Sequence, residues 1–463
     1  MDLNIFREYD IRGIVGSQLT DETVWAISRA IGTYFVRYEA VRVAVGYDAR
    51  ESSPRFATIL LEGLNSCGVD VVLIGAVPTP VLYHTLYNHD VDGGVMITGS
   101  HNPPDHNGFK VCLGKQALFG SQIRDIGRIA EAAEYSSGDG SVERLNVLDA
   151  YLSDVVSRIS MGPRKLKVVA DAGNGMGGVT AVPAYRKLGM DVVELYTNPD
   201  ASFPNHHADP TVEENLKDLI HAVREVSADV GIAFDGDADR IGVVDENGRV
   251  IWGDELLVIF ERDVLRKQPG ATVIGEVKCS KRLFDDIAAN GGTPIMCQAG
   301  HSIIKAKMRE TGALLAGEMS GHMFFADRYY GFDDACYAGA RLVEILSHSE
   351  KPLSEFTADL PVTFSTAELR VPCSEEKKAA VIDHILDHFG RDHEVDTTDG
   401  ARISFTHGWG LVRASNTQEL LVLRFEADSA EQLSVIRTAV EREVRSALDP
   451  DQPISDSSMS KLA

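Results

Sequence analysis

The chain has 463 residues, 44% apolar and 25% charged, the balance of a soluble globular protein long enough for two to four domains. Its formal charge of −24 excludes sequence-independent nucleic-acid binding, which needs a basic face to displace counterions. No stretch approaches the run of about 20 apolar residues that crosses a bilayer. The first nine residues lack an apolar signal core, and the six scattered cysteines form no C-x-x-C pair. The expectation is a cytoplasmic protein with reduced thiols, no membrane or nucleic-acid partner, and no zinc site.

In chain order, periodicity predicts a helix over Glu22 to Tyr38, a strand over Val41 to Gly46, a helix over Pro54 to Asn65 and a strand over Val69 to Ile74. After the prolines at 78 and 80 come a helix over Val81 to Tyr87 and the short apolar run Val95-Met96-Ile97. A second unit opens with a helix from Leu148 to Ile159, then a strand over Lys167 to Asp171 and a glycine-rich turn. A helix over Thr180 to Leu188, a strand over Asp191 to Tyr196, a helix over Glu213 to Val226 and a strand over Val230 to Phe234 complete it. The turn's glycines (173, 175, 177 and 178) do not fit G-x-G-x-x-G, so the simple reading is a tight strand-to-helix connection. The neighbouring His206-His207 pair reads as a packed loop, and Glu246 to Arg249 as a hairpin turn. A third unit runs through a helix over Glu255 to Leu265, strands over Thr272 to Val277 and Thr293 to Cys297, and the helix between them over Arg282 to Asn290.

The last segment differs. Thr363 to Val371 alternates like a strand, Glu375 to Phe389 and Ala430 to Leu448 read as helices, and three strands lie near Ala401 to Phe405, Gly410 to Ala414 and Leu420 to Glu426. Asp449 to Ala463 reads as a polar, disordered tail. The expected architecture is four domains around a central cleft: α/β units over 1–147, 148–250 and 251–362 with mixed or parallel sheets of similar plan, then a smaller α+β domain over 363–463.

Two stretches stand out chemically. In Thr98-Gly99-Ser100-His101-Asn102-Pro103-Pro104 an apolar run stops and presents a hydroxyl; Gly99 permits a left-handed turn, and the prolines forbid continuation as a central strand. In Phe234-Asp235-Gly236-Asp237-Ala238-Asp239-Arg240, alternating carboxylates repel one another unless a cation neutralises them, and their oxygen-only ligation points to Mg²⁺ or Ca²⁺. An EF-hand register fails because Arg240 stands where the calcium loop needs glycine and the flanks read as strands. A phosphatase using Asp235 as nucleophile and Asp237 as acid-base partner remains as a rival.

Further along, Glu318 and Ser320, two apart on a stretch read as extended, can face one way toward neighbouring sugar hydroxyls, with His322 as proton relay. Arg413, Ser415, Asn416 and Thr417 supply the donors that grip a phosphate. The serine run, followed by Asn107-Gly108-Phe109-Lys110, resembles the phosphoserine loop of the α-D-phosphohexomutases, and the other patches match that family in order from about Phe6 to Glu426.

The resemblance implies that Ser100 carries the phosphoryl group, and that Asp235, Asp237 and Asp239 hold Mg²⁺ together with a seryl-phosphate oxygen. It places Arg12, Lys110 and Arg240 beside the transferring group, and His322 in catalysis. Tyr9, Lys278, His301, Glu318 and Ser320 would line the sugar, while Lys305 is expected to pair on a helix face. The implied reaction interconverts hexose 1-phosphate and 6-phosphate through a hexose 1,6-bisphosphate, by a monomer or weak homodimer, with phosphoglucosamine mutase as the near alternative.

Overall fold

The computed structural model describes residues 1–415 and 418–448. Its first sheet runs in the order Ile11–Ile14, His106–Leu113, Gly93–Ile97, Arg42–Tyr47, Asp70–Ala76, Val142–Arg144. The strands from Gly93 onward in that order are parallel, and His106–Leu113 returns antiparallel to Gly93–Ile97. The second sheet repeats the plan: Lys167–Asp171 lies parallel to Asp191–Leu195 and Val230–Phe234, and Ile241–Asp245 returns antiparallel. In the third, Thr272–Glu276 is parallel to Thr293–Cys297 and Leu315–Gly317, with Met323–Phe325 antiparallel. The fourth sheet is antiparallel throughout and packs against helices Glu375–Phe389 and Ala430–Ala447. Three α/β domains of one plan and a smaller α+β domain thus make up the molecule.

Among the described residues no helix is long and apolar enough to cross a membrane. All six cysteines are buried, free thiols.

The structure departs from these expectations in three places. Elements between Ser100 and Leu148 were not foreseen: the strand His106–Leu113 and the helix Ser121–Ala132, whose Ile123, Ile126, Ile129 and Ala130 form its buried face. Helices His301–Thr311 and Ala335–Ser347 were likewise not delimited. The strand expected over Thr363 to Val371 is two short strands, Phe364–Ser365 and Leu369–Pro372, both paired with Leu420–Ala427. The break frees Glu368 to reach Lys278 of the third domain, Oε1 to Nζ 2.7 Å. The tail from Asp449 lies outside the described residues.

Candidate active site

Each of the first three sheets sends a parallel strand into a loop that returns antiparallel, and each loop carries one of the motifs: residues 98–105, 235–240 and 318–322. Ligands collect where strands of such sheets end.

Ser100 is buried and takes a left-handed φ of +51°. That is unusual for a residue with a Cβ and costs about 1–2 kcal/mol. The sequence assigned the turn to Gly99, which does not have a positive φ. Gly99 is required by proximity instead: a Cβ there would lie 2.4 Å from the Arg50 guanidinium carbon. The Ser100 hydroxyl donates to Asp235 Oδ2 at 2.8 Å, and its N–H to Thr98 Oγ1 at 2.8 Å. His101 Nδ1 lies 3.1 Å from the same hydroxyl oxygen. Burial, then Arg240 and Arg12, hold His101 well below the ordinary imidazole value, which keeps it neutral.

The acidic loop folds back on itself. Asp235 Oδ1 accepts the N–H groups of Asp239 and Arg240, both at 3.1 Å. Thr79 of the first domain donates to Asp237 through its hydroxyl at 2.5 Å, and Lys110 Nζ reaches Asp237 at 2.7 Å and Asp239 at 2.5 Å. Lys110 is thus buried in mid-strand. Burial opposes its charge, yet the two aspartates outweigh that and raise its pKa. Burial, reinforced by Asp239 and Asp237, pushes Asp235 well above the carboxylate range.

One oxygen of each of the three aspartates lies within 4.8 Å of the others. Asp237 Oδ1 and Asp239 Oδ1 are buried without any hydrogen-bond partner. Two orphaned carboxylate oxygens beside a third carboxylate are a donor set for a hard divalent cation, and the residues fit Mg²⁺.

Around this centre, nearly every cation is matched to a carboxylate within the protein. Arg12 donates to Asp10 at 2.5 Å and to Asn102 Oδ1 at 3.1 Å. Lys278 takes Glu368, Lys305 takes Asp333 at 2.8 Å, and Arg413 takes Asp399 at 2.8 Å. A chain of net charge −24 thus carries a site whose cations are held by internal anions. Arg240 is the exception. Its Nε donates to His322 Nε2 at 2.9 Å, so in a neutral imidazole the proton is on Nδ1, 3.1 Å from Asp333 Oδ2.

Glu318 and Ser320 are not on an extended stretch. Gly321 N–H donates to Glu318 O at 3.0 Å and Gly321 has φ +91°, which closes a tight turn. The turn is imposed by the neighbouring domain, since Ile241 N–H donates to Gly321 O at 3.0 Å and a Cβ on Gly321 would lie 2.3 Å from Ile241 O. Glu318 Oε1 accepts Gly300 N–H at 2.6 Å, while Ser320 is half-buried on the turn. Lys305 does share a helix face with His301, at 3.2 Å, but it is buried and its anion is Asp333. His301 stacks on His322 with ring centres 5.5 Å apart, and Tyr9 donates to Ala299 O at 2.7 Å, tying the first domain to the third. Burial and Lys305 hold His301 well below its ordinary value.

Arg413 and Ser415 are buried on the fourth domain; Asn416 and Thr417 lie outside the described residues. Lys378 donates to the carbonyls of Ser415 and Gln418, each at 2.8 Å, and so holds the loop's ends. His206 packs on Asp171 at 3.0 Å, as expected of a loop histidine. Sequence reasoning passed over His101, Thr79, Asp333, Asp399 and Lys378. Only His101 had a signal, its adjacency to Ser100; the others act across domain boundaries or long loops.

Four α/β or α+β domains that converge a strained serine, a carboxylate cage and a ring of internally paired cations define a centre for anionic, phosphorylated ligands. The chain belongs to the phosphoglucomutase/phosphomannomutase family: the models of its alpha/beta/alpha domains I, II and III match residues 3–136, 149–248 and 252–364, and that of its C-terminal domain residues 368–443. These enzymes are isomerases. The chain is 46% identical to a phosphomannomutase/phosphoglucomutase of Pseudomonas aeruginosa, over 97% of each chain. It is 46% identical to a phosphoglucomutase of Neisseria gonorrhoeae, over 92% of this chain and 93% of that one. A crystal structure of a phosphoglucomutase/phosphomannomutase family protein from Burkholderia thailandensis superposes with a TM-score of 0.92 at 42% identity, covering 98% of this chain and 99% of that one.

Proposed function

We propose that the protein interconverts the 1-phosphates and 6-phosphates of glucose and mannose, with Ser100 as phosphoryl carrier and the hexose 1,6-bisphosphate as intermediate. The observation that carries this reading is the 2.8 Å contact of the Ser100 hydroxyl with Asp235 across a domain boundary, beside two orphaned aspartate oxygens. Asp235, Asp237 and Asp239 would hold Mg²⁺, which when bound neutralises the carboxylates and withdraws charge from the phosphoryl group.

The chain's own residues do the rest. In the first half-reaction the bond from phosphorus to the Ser100 oxygen breaks as a bond to the sugar hydroxyl forms, and the hydroxyl's proton passes to His322. In the second, the bond from the bisphosphate's other phosphorus to its sugar oxygen breaks as the bond to Ser100 re-forms, and His322 returns the proton to that sugar oxygen. Arg240 leaves His322 Nε2 for the phosphoryl oxygens, which frees that nitrogen to take the proton. Arg12, Lys110 and Arg240 face the charge that spreads over the phosphoryl group, so most of the catalysis is placement and electrostatics. Tyr9, Lys278, His301, Glu318 and Ser320 contact the sugar. Arg413 and Ser415, with Asn416 and Thr417, grip the phosphate that is not transferring. The bisphosphate then turns over and presents its other phosphate to Ser100. We place the enzyme in the cytoplasm as a monomer or weak homodimer.

A phosphatase acting through Asp235 fits poorly, because Oδ1 already accepts two backbone N–H groups and Oδ2 the Ser100 hydroxyl. The test is Ser100→Ala with radiolabelled substrate. The expected outcome is loss of acid-stable label and of mutase turnover by about 1,000-fold or more, in line with deletion of a covalent nucleophile. Label that persists in the variant as a hydroxylamine-labile acyl phosphate would refute the serine mechanism.

A further inference from the structure

Arg50 follows the strand Arg42–Tyr47 and is 1% exposed, yet four of its donor contacts go to backbone carbonyls of one loop. Nη1 donates to Pro103 O at 2.5 Å and His106 O at 2.8 Å; Nη2 donates to Ser100 O at 2.8 Å and Asn102 O at 2.5 Å. Asp48 supplies the anion, with Oδ2 3.3 Å from Nε. It also fixes both ends of the arrangement. Oδ1 accepts Arg50 N–H at 3.0 Å and the Ser53 hydroxyl at 2.6 Å, and Oδ2 accepts Gly99 N–H at 3.2 Å.

The strain at Ser100 needs such a brace. No strand or helix holds residue 100, and its left-handed backbone persists only if the surroundings over-determine it. The Ser100 carbonyl gripped by Arg50 is also where the two catalytic loops meet: a Cβ on Gly236 would lie 2.4 Å from that oxygen. From the second domain, Phe203 sets its ring 5.5 Å from the Arg50 guanidinium carbon. The arginine therefore touches both sides of the boundary that the Ser100 to Asp235 contact crosses.

We propose that Arg50, held by Asp48, is the positioning residue for Ser100: by fixing the peptide plane after the serine, it aims the hydroxyl oxygen at the acidic cage. The assignment rests on the reading of Ser100 as phosphoryl carrier. Its contacts are with the loop carbonyls and Asp48, so in this proposal its role is to position the serine. A lysine cannot replace it, because three donors radiating from one atom do not span carbonyls that a planar five-donor fork reaches.

The test uses the full-length protein as Arg50→Lys, Arg50→Ala and Asp48→Asn, assayed by steady-state turnover and by single turnover from the serine-phosphorylated enzyme. Misplacing a reacting atom by about 1 Å costs about 100-fold in rate, and that loss is expected in the transfer step of Arg50→Lys. KM for hexose phosphate should stay within about threefold of wild type, since uniform binding is untouched. Asp48→Asn should lower kcat in the same direction by less. Added guanidinium ion should restore folded Arg50→Ala at least about tenfold by refilling the site, which a general loss of structure would not permit.

An Arg50→Lys enzyme with normal kcat overturns the proposal. So does a parallel loss of kcat with a large rise in KM, or a folded Arg50→Ala enzyme that guanidinium leaves inactive. Should Arg50→Ala fail to fold, Arg50→Lys and Asp48→Asn decide. A wild-type enzyme without mutase activity would instead refute the reading of Ser100.

Discussion

One buried apolar cluster runs unbroken through the first three domains, from Ala44 to Leu353. The fourth domain keeps its own core, from Leu369 to Leu448, and meets the others at a patch of three buried residues, Val277, Trp409 and Leu411. Around that patch the contacts are polar. Arg402 donates to the carbonyls of Val277 and Cys279, Arg424 to that of Lys278, and Asp399 accepts Ala299 N–H at 3.2 Å. A continuous core resists relative motion, whereas a small interface satisfied by hydrogen bonds is the kind along which domains move. The serine and the carboxylate cage thus lie on the fused part, and the loop proposed to grip the phosphate lies on the part free to open. That division suits the proposed reaction, which would hold a phosphoryl group rigidly and yet let a bisphosphate turn over.

The division can be broken at its functional end first. Arg413→Ala should raise KM for hexose phosphate by about 10- to 100-fold, the worth of a charge-assisted pair, while phosphorylation of Ser100 by a bisphosphate donor continues. Loss of both together, in rapid-quench experiments, would mean that clamp and transfer site are one rigid unit.

Trp409→Ala attacks the hinge patch itself. The indole is buried, donates to Glu426 at 2.9 Å, and lies under the Arg402 guanidinium at 3.8 Å. Burial pushes that guanidinium down to about 10. Truncating a buried tryptophan costs about 3–5 kcal/mol. The loss should appear as an early calorimetric transition of the fourth domain and faster proteolysis near residues 361–367, with the main transition unmoved. A single transition shifted as a whole would contradict the division.

The smallest effect is set by pH. The Lys278 ammonium pulls Glu368 from its ordinary 4.5 down to about 2. An acid lowered on folding contributes its stability above about 4.5 and loses it as pH falls toward 2. Acidification below about 4.5 should therefore loosen the fourth domain first. Hydrogen exchange at strand Leu369–Pro372 reads this directly, and Glu368→Gln should abolish that pH dependence.

Much of this was legible in the residues. Alternating strands and helices with abrupt apolar stops foretold three α/β units, and the change in pattern after residue 363 foretold a different fourth. The loops carrying Ser100, the three aspartates and Glu318 converge because they occupy the same hairpin in three sheets of one plan. The sequence suggested that shared plan, one site loop per unit, but side chains on the repeated strands share too little identity to place the loops at the same hairpin. What could not be read were contacts that cross domains. Glu368 breaks its strand for the sake of Lys278, Glu318 is turned by Ile241, and Lys110 is drawn into a buried pair. In each case a partner more than 70 residues away decides the local geometry. Local propensity carries no trace of such partners.

Lys110 has one more bearing on how the protein comes to life. In the folded protein its ammonium sits between Asp237 and Asp239, so it offsets part of the cage's negative charge without any divalent ion. On the proposed Mg²⁺ reading, folding would then not depend on the ion. If the cage holds Mg²⁺ as proposed, stripping the ion with a chelator should silence the enzyme while leaving its melting temperature nearly where it was.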